Sequence, residues 1–98
     1  MSVVISGAIV LTDSGEQRID VRIDDGVISE MSASITPSHE DVVLNAQGCH
    51  VLPGFVDLHT HLREPGKEDS ETIETGSRAG AKGGYTALVA MPNTTPAQ

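Results

Sequence analysis

The amino-acid sequence predicts an α/β fold in which an N-terminal β segment, 1–52, precedes the first βαβ unit of a parallel sheet, 53–98. Apolar and polar residues alternate over 19–24, the period of a half-buried strand. A continuous apolar run over 85–91 is typical of a strand that is buried on both faces. Between 53 and 91, extended, helical and extended segments follow one another within about 40 residues, which indicates a βαβ unit. Because two parallel strands leave most of a sheet uncovered, we expect this chain to be the N-terminal piece of a longer protein.

Short strands joined by turns account for the N-terminal half. Residues 3–11 form an apolar run with Gly7 as a bulge position. The dipeptide Asp25-Gly26 is a strong hairpin signal, so the strand before it should turn back on itself. Further short strands are predicted over 42–44 and 49–52, and we interpret the whole as part of an antiparallel β module.

The C-terminal half is predicted to begin with an extended segment over 55–61. A helix should start near Asp69 or Ser70, since either side chain can cap it, and should end at Gly83-Gly84. Small residues dominate the helix face that would be buried, so the helix is expected to approach its sheet closely.

Composition and charge exclude several classes of protein. Lys and Arg total 6 against 14 Asp and Glu, a formal net charge of −8, so no basic face is available for nucleic acid or an anionic membrane. No run approaches the ~20 apolar residues of a membrane span, and no secretory signal follows Met1. A single cysteine, Cys49, cannot form an internal disulfide, so we expect a cytoplasmic protein with neither nucleic acid nor membrane as partner.

Two histidines, His59 and His61, carry the main chemical signal. Alternate residues of an extended segment share one side, which places Asp57 and both imidazoles together. Imidazoles in this arrangement can hold one ion such as zinc at ~2.0–2.1 Å. The alternative is a pair on a solvated edge strand, or one satisfied core histidine. Their position at the end of an apolar strand that opens a βαβ unit, before a Gly/Pro loop, favours the metal hypothesis.

Three more residues complete the candidate site. Arg63 offers a guanidinium suited to a carboxylate, although it could instead pair with Glu64 or Glu68. Asn93 ends the second predicted strand and is expected to face the same pocket, unless it is only a turn residue. Asp57 either supports a ligating histidine from behind or makes an ordinary strand-end hydrogen bond.

A catalytic zinc ion usually takes three protein ligands, so further ligands are expected beyond residue 98. His39 and His50 lie in the β segment and are interpreted as surface or core residues. The Gly83-Gly84 turn follows the helix instead of preceding it, so no nucleotide site is expected.

Two blocks of sequence carry a family resemblance. Residues 53–66 read PGFVDLHTHLREPG and residues 83–94 read GGYTALVAMPNT. Both resemble conserved blocks of dihydroorotases, in the amidohydrolase superfamily. The Arg-Glu-Pro-Gly that follows the histidine pair, with Met-Pro-Asn-Thr at this separation, is more specific than His-x-His alone. Allantoinases and hydantoinases are similar over part of the first block only.

The resemblance implies the start of a metal-dependent (β/α)8 barrel preceded by an N-terminal β-sandwich segment. It implies that His59 and His61 bind zinc, one or two ions per site, and that Arg63 and Asn93 bind the carboxylate of a small-molecule substrate. The implied reaction is the reversible conversion of N-carbamoyl-L-aspartate to L-dihydroorotate in de novo pyrimidine biosynthesis. The family's catalytic and remaining metal-binding residues lie downstream, so no catalytic residue is assigned here and the fragment alone is expected to be inactive.

Two alternatives stay open beside this hypothesis. One is a non-catalytic dihydroorotase-like subunit that supports aspartate transcarbamoylase. The other is a related cyclic amidase, an allantoinase or hydantoinase. Assembly is expected either as a homo-oligomer or with aspartate transcarbamoylase.

Overall fold

The computed structural model describes residues 1–97 and divides the chain into two compact units. Unit 1 is Met1–Pro53, and unit 2 begins at Gly54. Within the described residues, no helix combines the length and the apolar character needed to cross a bilayer.

Unit 1 is built from two small β-sheets. Its strands are β1 (Ser2–Ser6), β2 (Ile9–Thr12), β3 (Gly15–Arg18), β4 (Asp20–Asp24), β5 (Val27–Ser32), β6 (Val42–Asn45) and β7 (His50–Val51). One sheet has the order β5-β4-β1-β6 and the other β3-β2-β7. The pairs β1·β6 and β2·β7 are parallel, so the prediction of an antiparallel module was wrong for these two pairs. Parallel pairing arises because segments 2–12 and 42–51 pass from the first sheet to the second in the same direction.

Gly7 marks the change of sheet between β1 and β2. Its φ of +83° lies in the left-handed region that favours glycine, and the chain turns there instead of bulging within one strand. Beyond this turn, Ala8 and Val10 pack with Val21 in the core of unit 1. Since Val10 belongs to one sheet and Val21 to the other, this apolar cluster joins the two sheets.

Asp25 and Gly26 form the predicted hairpin turn. Their φ angles, 48° and 83°, are both positive, as a two-residue type I′ turn requires, and β4 and β5 pair antiparallel on either side. Strand β3 was not predicted, because its residues show no apolar alternation and all are exposed. Backbone pairing with β2 makes it a strand.

Unit 2 contains β8 (Phe55–Thr60), α1 (Ile73–Lys82) and β9 (Tyr85–Ala90), with β8 and β9 parallel. The predicted strand–helix–strand unit is therefore confirmed. The helix starts later than expected, because Thr72 is the N-cap and forms a reciprocal capping box with Thr75. Ser70 is instead held in a preceding turn, where its backbone N–H donates to the carbonyl of Lys67. The helix ends at Gly83, as predicted.

Glycines allow α1 to lie close to its neighbours. A Cβ placed on Gly80 would lie 3.0 Å from Leu88 Cδ1 on β9, and one on Gly76 would lie 2.8 Å from Leu62 Cδ2. The expected close approach through small residues is confirmed. The expectation that the second strand is buried on both faces was wrong, since Val89 is 45% exposed. In residues 1–97 this sheet has two strands, so it offers few neighbours that could bury β9.

One buried carboxylate holds two loops of unit 1. Asp20, 6% exposed, accepts hydrogen bonds from the backbone N–H groups of Ile35 and Gly7, both at 2.9 Å. These two bonds hold the pKa of Asp20 below its usual value. A carboxyl whose pKa is lowered in the folded state stabilises the fold above its unfolded pKa. That contribution is lost as the pH falls through the folded pKa.

We therefore expect Asp20→Asn to destabilise the protein at pH 7, because one of the two buried N–H groups loses its acceptor. The expected loss in the free energy of unfolding is about 1–3 kcal/mol. Urea denaturation at pH 7 and pH 3 measures it. The variant should also lose less stability than the wild type between these two pH values.

Asp13→Asn, at an exposed turn position, is the matched control and should leave both quantities unchanged. An Asp20→Asn protein with the wild-type stability at pH 7 would contradict the assignment.

Candidate functional site

The two histidines meet at the C-terminal end of β8. His59 lies in the strand and His61 directly follows it, and their Nε2 atoms are 3.2 Å apart. Two zinc–nitrogen bonds of ~2.0–2.1 Å at a tetrahedral angle separate their nitrogens by about 3.3–3.4 Å. The spacing therefore fits one shared ion, and the two ring nitrogens converge as such a ligand pair must. Both residues are exposed, which leaves this point accessible.

His61 is also held from its other ring nitrogen. Its Nδ1 lies 3.0 Å from the amide Oδ1 of Asn93, in the segment that follows β9. An amide oxygen only accepts, so this contact requires the proton of the neutral ring to be on Nδ1. Nε2 then carries no proton and can bind a metal ion, the arrangement found where a second group orients a ligating histidine.

Asp57 contacts the backbone near the histidine pair. Its Oδ1 accepts from the backbone N–H of His59 at 2.9 Å, so the structure shows the strand-end hydrogen bond that was the alternative to support of a ring. This bond lies where the pairing of β8 with β9 shifts register between Asp57 and Thr60. Such a shift re-aims side chains locally, so strict alternation cannot by itself predict where His59 points.

Arg63 and Asn93 face the same cleft, of about 300 Å³. Its lining residues are His61, Arg63, Pro65, Gly66, Lys67, Asn93, Thr94 and Thr95. The alternative pairing of Arg63 with a neighbouring glutamate is not observed in residues 1–97. Glu64 accepts from the backbone N–H of Ile73, and Glu68 from that of Gly66.

Lys67 is a cleft residue that was not predicted from the sequence. It is a lone lysine in a polar loop, and only its place in the cleft distinguishes it from a surface charge. With Arg63 it gives the lining two cations and no acidic residue, in a chain of net charge −8. A cleft of this kind attracts an anionic ligand.

No group of three His, Cys, Asp or Glu side chains in residues 1–97 could enclose a metal ion. The histidine pair therefore supplies two ligands of a site that needs at least one more. His39 and His50 lie elsewhere, exposed in unit 1, with nitrogens 3.9 Å from Glu40 and 3.7 Å from Glu16.

The solved structures to which the chain is similar belong to one class of enzymes. It is similar to the dihydropyrimidinase of Brevibacillus agri, at 33% identity and a TM-score of 0.79, over 94% of this chain and 20% of that one. It is also similar to the L-hydantoinase of Arthrobacter aurescens, at 26% identity and a TM-score of 0.76, over 97% of this chain and 21% of that one. Both neighbours are hydrolases that act on cyclic amides.

The family follows from the sequence match. The model of the family described as Dihydro-orotase-like matches residues 48–98, and the chain belongs to this family. The dihydroorotase of Mycobacterium tuberculosis is 53% identical over 97 residues, which are 98% of this chain and 22% of that protein. The chain thus spans 22% of the length of this curated relative.

The contact between His61 and Asn93 yields a direct test. In the metal-free protein, Asn93→Ala should reduce the population of the Nδ1–H tautomer of His61, because the acceptor for that proton is gone. Imidazole ¹⁵N chemical shifts report the two tautomers separately.

Asn45→Ala is the matched control, since Asn45 accepts from the backbone of Gln47 in unit 1. It should leave the His61 signals unchanged. Unchanged His61 shifts in Asn93→Ala would show that the amide does not determine the tautomer.

Proposed function

We propose that this protein is a dihydroorotase, which converts N-carbamoyl-L-aspartate to L-dihydroorotate and back in de novo pyrimidine biosynthesis. One observation carries the proposal: a cleft lined by Arg63 and Asn93 opens beside a pair of imidazole nitrogens 3.2 Å apart. The 53% identity to a relative named dihydroorotase supports it. In this proposal unit 2 is the first βαβ unit of a (β/α)8 barrel, and unit 1 is the N-terminal part of a β-sandwich.

Zinc, one or two ions per site, is the metal proposed for His59 and His61. Bound zinc would act as a Lewis acid that polarises the amide carbonyl and activates water. The Nδ1–H tautomer of His61 keeps its Nε2 lone pair ready for the ion. Further ligands, and the group that moves the proton to the leaving nitrogen, belong to the parts of the family outside residues 1–98.

Arg63 and Asn93 are proposed to bind the substrate carboxylate. A guanidinium can hold a carboxylate through two parallel hydrogen bonds. Asn93 uses Oδ1 on His61, so its Nδ2 donor remains for the substrate. One residue would then link the carboxylate to a metal-binding ring, and the scissile amide would be oriented relative to the metal.

Two other functions differ from this proposal in the substrate or the metal that they require. The hydantoinase and dihydropyrimidinase neighbours favour a cyclic amidase that acts on another ring. A ring without a carboxylate would leave Arg63 without its proposed partner, so turnover of dihydroorotate, hydantoin and allantoin should be compared.

A non-catalytic subunit that supports aspartate transcarbamoylase would need no metal, which both histidines argue against. The cytoplasmic location and the assembly, as a homo-oligomer or with aspartate transcarbamoylase, stay predictions.

Replacing either histidine should remove the metal. We expect His59→Ala and His61→Ala, in the protein at its natural full length, to weaken zinc binding more than about 100-fold. Loss of a group that only orients a ligand already costs about 10–100-fold. Metal analysis after dialysis and a competitive zinc titration measure the effect.

The control is His39→Ala, which replaces an exposed histidine of unit 1. It should keep the zinc content of the wild type. A wild-type protein without zinc, or histidine variants with full zinc content, would refute the metal role.

Arg63→Ala should raise KM for dihydroorotate while the zinc content stays constant. Hydrogen bonds to charged groups contribute about 1.5–3 kcal/mol, so the expected increase is about 10- to 150-fold. Any turnover of hydantoin, which has no carboxylate, should not change.

Arg78→Ala serves as the control, because Arg78 is an exposed helix residue that pairs with Glu74. An unchanged KM for dihydroorotate in Arg63→Ala would rule out the carboxylate contact.

A further inference from the structure

Arg63 has a backbone conformation that needs support. Its φ is +65°, in the left-handed region, which costs a residue with a Cβ roughly 1–2 kcal/mol. It also lies in a segment without regular secondary structure, between β8 and α1. Contacts around this segment must therefore hold the backbone of Arg63 in this conformation.

Glu64, the next residue, accepts a hydrogen bond from the start of α1. Its Oε1 accepts from the backbone N–H of Ile73 at 2.7 Å. Ile73 is the first residue of α1, where N–H groups have no partner within the helix. A carboxylate at this position makes a charge-assisted hydrogen bond and is favoured by the positive end of the helix dipole.

The helix does not depend on Glu64 for its own cap. Thr72 and Thr75 already exchange hydrogen bonds in both directions across the first turn. The hydrogen bond to the Glu64 carboxylate is thus a separate contact, which joins the segment that carries Arg63 to the start of α1.

A backbone hydrogen bond joins the same segment to the residues that follow β9. The carbonyl of Pro65 accepts from the backbone N–H of Thr95 at 2.9 Å, two residues beyond Asn93. The carbonyl of Arg63 also accepts from the N–H of Lys67 at 2.9 Å. These are backbone contacts. The Glu68 side chain also binds the segment, through the backbone N–H of Gly66, whereas the Glu64 side chain joins it to α1.

We propose that Glu64 is a positioning residue: by binding the first N–H of α1, it holds Arg63 in the left-handed conformation that directs its guanidinium into the cleft. The substrate part of this inference rests on the proposed function. The structural part does not, because it concerns only the order of Arg63 in the free protein.

The structural part is tested by NMR on the protein at its natural full length. Glu64→Ala should lower the backbone order parameter of Arg63 from the range of rigid backbone, about 0.85, towards flexible values below about 0.6. Glu64→Gln keeps an oxygen acceptor and should restore most of the order. Glu74→Ala, which removes an exposed carboxylate of the same helix turn, should have no effect. An Arg63 order parameter unchanged in Glu64→Ala would overturn the proposal.

The kinetic part uses KM and kcat for dihydroorotate. Glu64→Ala should raise KM about 10- to 100-fold, since small misplacements of a binding group have effects up to this size, with kcat and zinc content near wild type. In an Arg63→Ala background the same substitution should have no further effect on KM. Additive effects of the two substitutions would overturn the positioning role. Absence of wild-type turnover would instead refute the proposed function, and the NMR result would still decide the role of Glu64.

Discussion

The parallel pairing of β8 with β9 is the constraint on which the candidate site depends. Parallel strands end at the same edge of a sheet, so residues far apart in sequence come together there. The backbone N–H of Met91 donates to the carbonyl of Thr60 at 2.8 Å, at the point where both strands end. Just beyond it, His61 and Asn93 come into contact although 32 positions separate them. The histidine pair, the cleft and the residues proposed to bind a carboxylate are all arranged around this edge.

Glycine makes that pairing compatible with the rest of unit 2. A Cβ on Gly54 would lie 2.0 Å from Thr86 Cγ2, so only glycine permits the approach of the chain entering β8 to β9. On the helix side, Gly80 lies against Leu88 of β9 in the same way. The strand ends are thus aligned by backbone contacts as well as by apolar burial, which is limited in this two-stranded sheet. For this reason the C-terminal edge of the sheet brings His61 and Asn93 together although the strands are largely exposed.

Acidic side chains near the site mainly accept hydrogen bonds from backbone N–H groups. Asp57, Glu64 and Glu68 each accept from a backbone N–H, of His59, Ile73 and Gly66 respectively. Carboxylates so engaged order the loops without lining the cleft. Arg63 and Lys67 therefore face the cleft as a local positive region in an acidic chain. Asp20 follows the same pattern in unit 1, where one carboxylate joins the segments of Gly7 and Ile35.

Local patterns in the sequence determined the features that depend on neighbouring residues. The Asp25-Gly26 turn, the strand–helix–strand order and the helix end at Gly83 were all predictable in this way. The tertiary structure decided what depends on distant partners: the parallel pairing within unit 1 and the contact of Asn93 with His61. It also decided that Glu64 binds the helix, which leaves Arg63 unpaired within residues 1–97. Turn and periodicity signals act over a few residues, whereas these contacts exist only after the chain has brought separate segments together.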